Sequence, residues 1–559
     1  MARTVSVGTQ DFEQLIIEEC FYIDKTDFIK EWWESKDAVT LITRPRRFGK
    51  TLNMNMLERF FSVKYKGQGS IFEGLDIWRE EKYRQLQGTY PVIFLSFAGL
   101  KETTYETAVY RMCQIIKMVY KRYLFLAESD VLTEEEKREY RKLTVEVALQ
   151  DAPMALYELS DYLYRYYGRK VIILLDEYDA PLQEAYVSGY WKEMVSFTRN
   201  LFNSTFKTNP YLERAVMTGI TRVSKESLFS DLNNLKVVTM ASDKYASCFG
   251  FTEAEVFTAM DEFGLENKSE VKRWYDGFTI GNQRDIYNPW SIINFLDEGK
   301  LKPYWANTSS NGLVSQLVRE GDKDIKMLFE KLLQGHSIIK ELDEEIVFNQ
   351  LGEDQDAVWS LLLASGYVTA VKVVDEEYEL ILTNYEVKKM FCRMVKNWFG
   401  KDRTVYNEFV RALLRGDSEE MNNYLEEMAD SMFSVFDGGN KPSETKTPER
   451  FYHGFVLGLL VDLAGRYKVT SNQESGFGRY DVMLEPHHKE DAGIIIEFKV
   501  YNPKKETSLE ETVQAALRQI EEKKYEQALL DGGCCRDNIQ KYGFAFKGKE
   551  VLIRSSDHR

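Results

Sequence analysis

The stretch Gly493-Ile494-Ile495-Ile496-Glu497-Phe498-Lys499-Val500 decides the reading of the C-terminal region, together with Asp481 in Gly478-Arg479-Tyr480-Asp481-Val482-Met483-Leu484. Both segments are rich in β-branched and other apolar residues and predict strands. Strand alternation places Glu497 and Lys499 on one face and Ile496 and Phe498 on the other. Two unpaired charges on a buried face would be costly to desolvate. A divalent cation held through oxygen by Asp481 and Glu497 removes that difficulty, and Lys499 would then orient a water for attack on a phosphodiester. The intervening Pro486-His487-His488-Lys489-Glu490-Asp491 has the polar character of a hairpin connection. A helix carrying Gln514 and Gln519 follows. An acid and a Glu-x-Lys also co-occur by chance, so the pattern gains weight from its place on two neighbouring strands.

Working outward, the 559 residues exceed one typical domain. The apolar share of 44% and charged share of 29% are those of a globular chain. A net charge of −16 argues against a generally nucleic-acid-coating surface. Locally the balance reverses: Thr40 to Lys66 holds seven basic residues and one acidic one. Six dispersed cysteines without Cys-x-x-Cys, and five histidines, speak against a zinc site and suit a reducing cytoplasm. The N-terminus carries no apolar signal core. The apolar run 357–371 falls short of a membrane span. A cytoplasmic protein is expected.

In the N-terminal half, Ala38-Val39-Thr40-Leu41-Ile42-Thr43 reads as a buried strand. It leads into Arg44-Pro45-Arg46-Arg47-Phe48-Gly49-Lys50-Thr51 and a helix. Strand, loop, Gly-Lys-Thr and helix form the context of a P-loop. Backbone N–H groups and Gly49 would cradle phosphate, Lys50 would reach the β- and γ-phosphates, and the Thr51 hydroxyl would bind Mg2+. Arg44 stands where the usual motif opens with glycine, and Pro45 removes a donor. Arg46 and Arg47 are therefore expected to share in phosphate binding. The run Lys170-Val171-Ile172-Ile173-Leu174-Leu175-Asp176-Glu177-Tyr178-Asp179 reads as a parallel strand buried on both faces and ending in acids. Asp176 would support Mg2+ and Glu177 would polarise the attacking water. The segments 90–97 and 214–221 add strands to this sheet. Thr218, Thr221 and Arg222 are expected near the γ-phosphate.

Taken together, Phe21-Tyr22-Ile23-Asp24-Lys25-Thr26, the Arg-Pro-Arg-Arg-Phe-Gly-Lys-Thr loop, Leu174 to Asp179, Met217-Thr218-Gly219-Ile220-Thr221-Arg222, Trp274-Tyr275-Asp276-Gly277-Phe278 and Asn288-Pro289-Trp290-Ser291 carry a resemblance. The chain resembles the bacterial family that joins a AAA-ATPase-like domain to a C-terminal PD-(D/E)xK nuclease-superfamily domain. The resemblance implies an α/β multidomain protein. Its expected parts are a P-loop AAA-like ATPase over 1–235, a helical lid over 236–345, a winged-helix-like spacer over 346–440 and a PD-(D/E)xK nuclease-like domain over 441–559. It implies ATP and Mg2+ as cofactors, with Mn2+ an alternative at the nuclease site. It also implies Glu449 as a third metal ligand and Gln514 as a helical residue beside the metal. Tyr480 replaces the proline that names the nuclease fold.

Between these ends, 101–167 predicts helices packed on the first sheet. Thr252 with Glu255 predicts a capping box, and Tyr304-Trp305 a structural cap. The succession of helix 356–364, strands 367–374 and 378–383, and helix 385–399 predicts the spacer. The leading function is an ATPase coupled to a metal-dependent nuclease acting on DNA. The alternative is a nucleotide-dependent switch whose nuclease-like domain only binds nucleic acid or a protein partner. Oligomerisation is open in both.

Overall fold

The computed structural model describes residues 3–222, 232–305, 323–342, 356–374, 377–398, 403–426, 466–471, 481–488, 490–547 and 550–556, with isolated positions between them. The chain divides into two compact units. One comprises 1–329 and 337–388, the other 330–336 and 389–559.

The first unit is built on a wholly parallel sheet of β1 (Val39–Thr43), β2 (Val92–Ser96), β3 (Val171–Asp176), β4 (Leu212–Gly219) and β5 (Leu235–Val238). Its order is β2-β3-β4-β1-β5. β4 thus lies between the strand that feeds the P-loop and the strand that ends in acids. Every residue of β1 and β3 is buried, as the uninterrupted apolar runs predict. The period of two divides β3 between two cores. Val171, Ile173 and Leu175 join Met112, Ile116 and Leu159 on one face. Ile172 and Leu174 join Trp32, Leu57 and Phe60 on the other. Each such side chain contributes about 1.5–3 kcal/mol when fully buried. The expected helices in 101–167 are Tyr105–Arg122, Glu134–Val145 and Ala152–Tyr167. β5 went unpredicted, and it runs across the expected boundary at residue 235.

Farther along this unit, β6 (Phe251–Thr252), β7 (Phe278–Ile280) and β8 (Gln283–Tyr287) form a small antiparallel sheet in the order β6-β8-β7. Helices Glu253–Glu262, Lys268–Tyr275 and Pro289–Glu298 accompany it. The capping box between Thr252 and Glu255 is present. Trp305 is buried, stacks on Tyr367 at 5.4 Å, and donates its backbone N–H to Glu386 Oε1 at 2.6 Å. Its role is core packing, as predicted for a cap. The helix and hairpin expected near 356–383 are Ala357–Ala364, β10 (Val368–Val374) and β11 (Glu377–Leu382). A third strand, β9 (Ile338–Glu341), pairs with β11, so this sheet recruits residues from before position 346.

The second unit holds a mixed sheet of β12 (Tyr467–Ser471), β15 (Val482–Pro486), β16 (Gly493–Val500), β17 (Ile539–Lys547) and β18 (Glu550–Ser555). They lie in the order β12-β15-β16-β17-β18. A short ribbon of β13 (Glu474–Ser475) and β14 (Gly478–Arg479) stands apart from it. β16 and β17 are parallel and the other neighbours antiparallel. A parallel pair needs a crossover, which the helix Leu509–Glu522 supplies. That helix approaches β17 so closely that a Cβ on Gly543 would stand 2.7 Å from the Val513 carbonyl oxygen. Gly543 is the register partner of Glu497, so the contact sets the helix beside the charged face of β16.

Candidate functional sites

At the C-terminal end of the parallel sheet, Gly49 caps the helix Lys50–Phe61 in the left-handed conformation (φ 82°) that glycine adopts without strain. The Thr51 hydroxyl donates to Asp176 Oδ2 at 2.8 Å. Thr218 Oγ1 donates to Asp176 Oδ1 at 2.6 Å, and Ser96 Oγ lies 3.4 Å from Oδ2. Asp176 is fully buried, and these hydroxyls offset its desolvation. Lys50 is buried and folds back on its own loop, donating to the Arg44 and Pro45 carbonyl oxygens at 3.0 and 2.9 Å. Burial pushes its ammonium below the ordinary lysine range, against the pull of Glu177, Asp176 and Asp179. Burial likewise raises the Glu177 carboxyl, and Lys50 opposes the rise. Arg46, Arg47, Gly49, Lys50, Thr51 and Glu177 line one cavity of about 910 Å³.

In the second unit, β15 pairs Val482 with Ile496, so Asp481 stands across from Glu497. Asp481 Oδ2 accepts the Phe498 N–H at 2.8 Å. Burial raises its carboxyl above the usual range, while that bond and Lys499 oppose the rise. Glu497 is only 3% exposed. Ile495, Glu497 and Lys499 alternate onto the face covered by Leu509–Glu522, and Ile494, Ile496 and Phe498 onto the opposite core. Gln519, from that helix, bridges the two charges. Its Nε2 donates to Glu497 Oε1, and its Oε1 accepts from Lys499 Nζ at 2.6 Å. Lys499 Nζ itself lies 4.0 Å from Glu497 Oε1. Gln519 Nε2 also lies 3.1 Å from the hydroxyl of buried Tyr525.

A family model described as a predicted AAA-ATPase matches residues 6–229, and one for the PD-(D/E)XK nuclease superfamily matches residues 447–556. The chain joins a AAA-ATPase-like domain to a PD-(D/E)XK nuclease-superfamily domain. A protein of Azotobacter chroococcum mcd 1, named an uncharacterized protein in the vnfD 5' region, is 24% identical over 394 residues. Those residues are 69% of this chain and 68% of that one.

Several expected residues of the AAA-ATPase-like domain have other duties. Arg44 is fully buried and donates to the carbonyl oxygens of Thr43, Thr239 and Lys244 at 2.9, 2.7 and 3.3 Å. Burial pulls its guanidinium down to about 10. It ties β1 to the chain beyond β5, which accounts for an arginine where the usual loop opens with glycine. The hydroxyls expected near a γ-phosphate both bond to carboxylates. Thr218 binds Asp176, and Thr221 Oγ1 donates to Asp179 Oδ2 at 2.8 Å. Asp179 was overlooked as a site organiser. Its Oδ2 also accepts the N–H groups of Ile220 and Thr221 at 3.0 and 2.9 Å, fixing the exit of β4. A Cβ on Gly219 would come within 2.6 Å of the Tyr178 ring. Arg222 follows this hub directly, and it is not among the residues that line the P-loop cavity.

In the nuclease-superfamily domain, Gln514 is not brought to the charged pair. Its Nε2 lies 3.4 Å from Glu510 Oε1, one turn earlier on its own helix. Of the two helix glutamines, Gln519 is the one that stands beside Glu497 and Lys499. Glu449 lies outside the described residues. Glu474 and Arg479 pair across the β13–β14 ribbon.

Elsewhere in the first unit, Asp276 of the Trp274–Phe278 segment meets Glu253 and Asp285. The Lys272 ammonium sits among them, 2.5 Å from Glu253, 3.1 Å from Asp285 and 3.7 Å from Asp276. That cation makes the cluster an internal ion-pair network. Among the described residues no helix is long and apolar enough to cross a membrane.

Proposed function

We propose that the protein binds and hydrolyses ATP and couples this to metal-dependent cleavage of DNA. The observation that carries the ATPase half is the Thr51–Asp176 bond of 2.8 Å beside Lys50. A hydroxyl and a carboxylate that meet in this way fit the ligand set of Mg2+ in P-loop sites. In this reading Lys50 leaves the Arg44 and Pro45 carbonyls for the β- and γ-phosphates. Gly49 and the helix N-terminus hold phosphate through N–H groups, Arg46 and Arg47 add charge, and Glu177 accepts a proton from the attacking water. Thr218 keeps Asp176 oriented, and Arg222 supplies positive charge in the same subunit or across a subunit boundary.

For the nuclease half, two carboxylates on adjacent strands with a lysine one alternation away suit a hard divalent cation, Mg2+ or Mn2+. Asp481 and Glu497 would hold it, with Glu449 a third ligand, and it would supply an activated water and charge stabilisation on the phosphodiester. Gln519 positions both Glu497 and Lys499, and Lys499 steers the water. We read the ATPase core as 1–235 extended through β5, a helical lid to 345, a winged-helix-like spacer over 346–440 and the nuclease-like domain over 441–559. Coupling requires that ATP bind two conformations of the protein with different affinity.

The test uses purified full-length protein with ATP and Mg2+ or Mn2+, assayed for phosphate release and for nicking of plasmid and single-stranded DNA. Wild type should do both. Asp481→Ala and Lys499→Ala should lose cleavage alone, and Lys50→Ala should lose ATP turnover. ATP turnover without cleavage under any nucleotide condition would leave the switch reading in place of the nuclease.

A further inference from the structure

The P-loop cavity contains a contact that its phosphate cradle does not require. Arg47 takes a left-handed backbone conformation (φ 65°), uncommon for a residue with a Cβ. Its guanidinium carbon lies 4.3 Å over the ring of Trp290. Both residues line the cavity that also holds Lys50 and Thr51. Arg47 is exposed, and among the described residues it makes no ion pair with a carboxylate. Trp290 is anchored from behind. Its backbone N–H donates to Asn288 Oδ1 at 2.9 Å, and Asn288 Nδ2 donates to the Arg46 carbonyl oxygen at 3.2 Å. The helix Pro289–Glu298 therefore grips the loop at two adjacent points. One is a buried amide, and the other is a cation on an aromatic face.

These two grips respond differently to a polyphosphate. The Asn288 bond engages a backbone carbonyl and has no reason to yield to an anion. The cation–π contact is weaker than the charge-assisted, bidentate bonds a guanidinium makes to phosphate. Lys50, meanwhile, rests on the carbonyls of Arg44 and Pro45, so both cations hold positions that an anion would compete for.

We propose that Arg47 is a two-position latch. Its two resting places are the Trp290 ring and the terminal phosphates of a nucleoside triphosphate, so Trp290 sets triphosphate affinity by competing for the guanidinium. The proposal rests on the nucleotide reading of the P-loop. Released from Arg47, the start of helix Pro289–Glu298 keeps its Asn288 tether and gains freedom to shift against the loop.

The test pairs calorimetry with tryptophan fluorescence on full-length protein, using a non-hydrolysable ATP analogue with Mg2+. Wild type should show an emission change on binding. Trp290→Leu should lose that change and bind about two- to fivefold tighter, since the competing contact is gone. Trp290→Phe, which keeps a ring and its packing, should fall between them. Arg47→Met should lose the emission change and bind about tenfold more weakly. A wild-type emission change that survives in Trp290→Leu, or a Trp290→Leu affinity equal to or below wild type, overturns the latch while leaving the nucleotide site standing. Failure of wild type to bind the analogue in calorimetry overturns both.

Discussion

The two sheets each place an aspartate and a lysine at one end, fully buried at Asp176 and half-buried at Asp481, yet they hold them by different means. Asp176 ends a strand in a parallel sheet and is held by hydroxyls from three other segments, Thr51, Thr218 and Ser96. Asp481 sits in a mixed sheet and is held by the backbone N–H of Phe498 on the adjacent strand. Lys50 is parked on backbone carbonyls, whereas Lys499 is held by the Gln519 side chain. A parallel sheet gathers its strand ends and loops at one edge, so its site is assembled from many segments. The mixed sheet carries its charges on the strands themselves and needs one covering helix to complete the set. The first arrangement rests on side chains and loops from several segments, while the second is built into the ladder.

The largest expected effects separate the two centres. Lys50→Ala should lower ATP turnover by about 100-fold or more, as loss of a transition-state charge donor does, with phosphate release as the readout. Asp481→Ala should do the same to DNA nicking and leave ATP turnover within about twofold. Coupling lets Lys50→Ala slow nicking as well, but loss of ATP turnover from Asp481→Ala would break the picture of two separate chemistries.

A sharper contrast lies within the covering helix. Gln519→Ala should cut nicking by about 10- to 100-fold, the range for residues that orient a metal's ligands. Gln514→Ala should remain close to wild type. Equal effects would mean that Gln519 packs without positioning.

The hydroxyl set around Asp176 predicts a smaller effect on stability. Thr218→Val leaves Oδ1 of a buried carboxylate without its donor, and should cost about 1–3 kcal/mol, read by chemical denaturation of the first unit. Thr258→Val, exposed on the helix Glu253–Glu262 of the same unit, serves as the control.

The smallest effect concerns pH. The Asp481 carboxyl is raised in the folded protein, chiefly by burial. The folded state therefore binds its proton more tightly than the unfolded state does. Stability is present at low pH and lost as pH rises from the unfolded value of about 3.9 through the folded one. Metal-free Asp481→Asn keeps an acceptor for the Phe498 N–H and has no charge to bury. It should unfold at a higher Tm than wild type at pH 8, by a few degrees, and the gap should close toward pH 4. A gap that does not change with pH would place the cost of Asp481 in packing.

Much of this was legible in the chain because the signals are local. Continuous apolar runs gave β1 and β3, alternation gave the charged face of β16, and Gly49-Lys50-Thr51 after a strand gave the phosphate loop. β5 escaped notice because Leu235-Lys236-Val237-Val238 is short and only one of its residues is buried. Gln514 and Gln519 could not be told apart by sequence. They flank the apolar stripe of Val513, Ala516, Leu517 and Ile520 on opposite sides, about 140° apart around the helix.

By itself the sequence determined that a Gly-Lys-Thr loop joins β1 to a helix and which strands carry the acids, because period and composition act between neighbours in the chain. Only the tertiary structure decided who completes each set. The insertion of β4 between β1 and β3 brings Thr218 to Asp176, and the close approach of Val513 to Gly543 turns Gln519 toward Glu497. Those partners are separated by 42 and 22 residues, and what joins them is sheet order and helix phase, which no local pattern encodes.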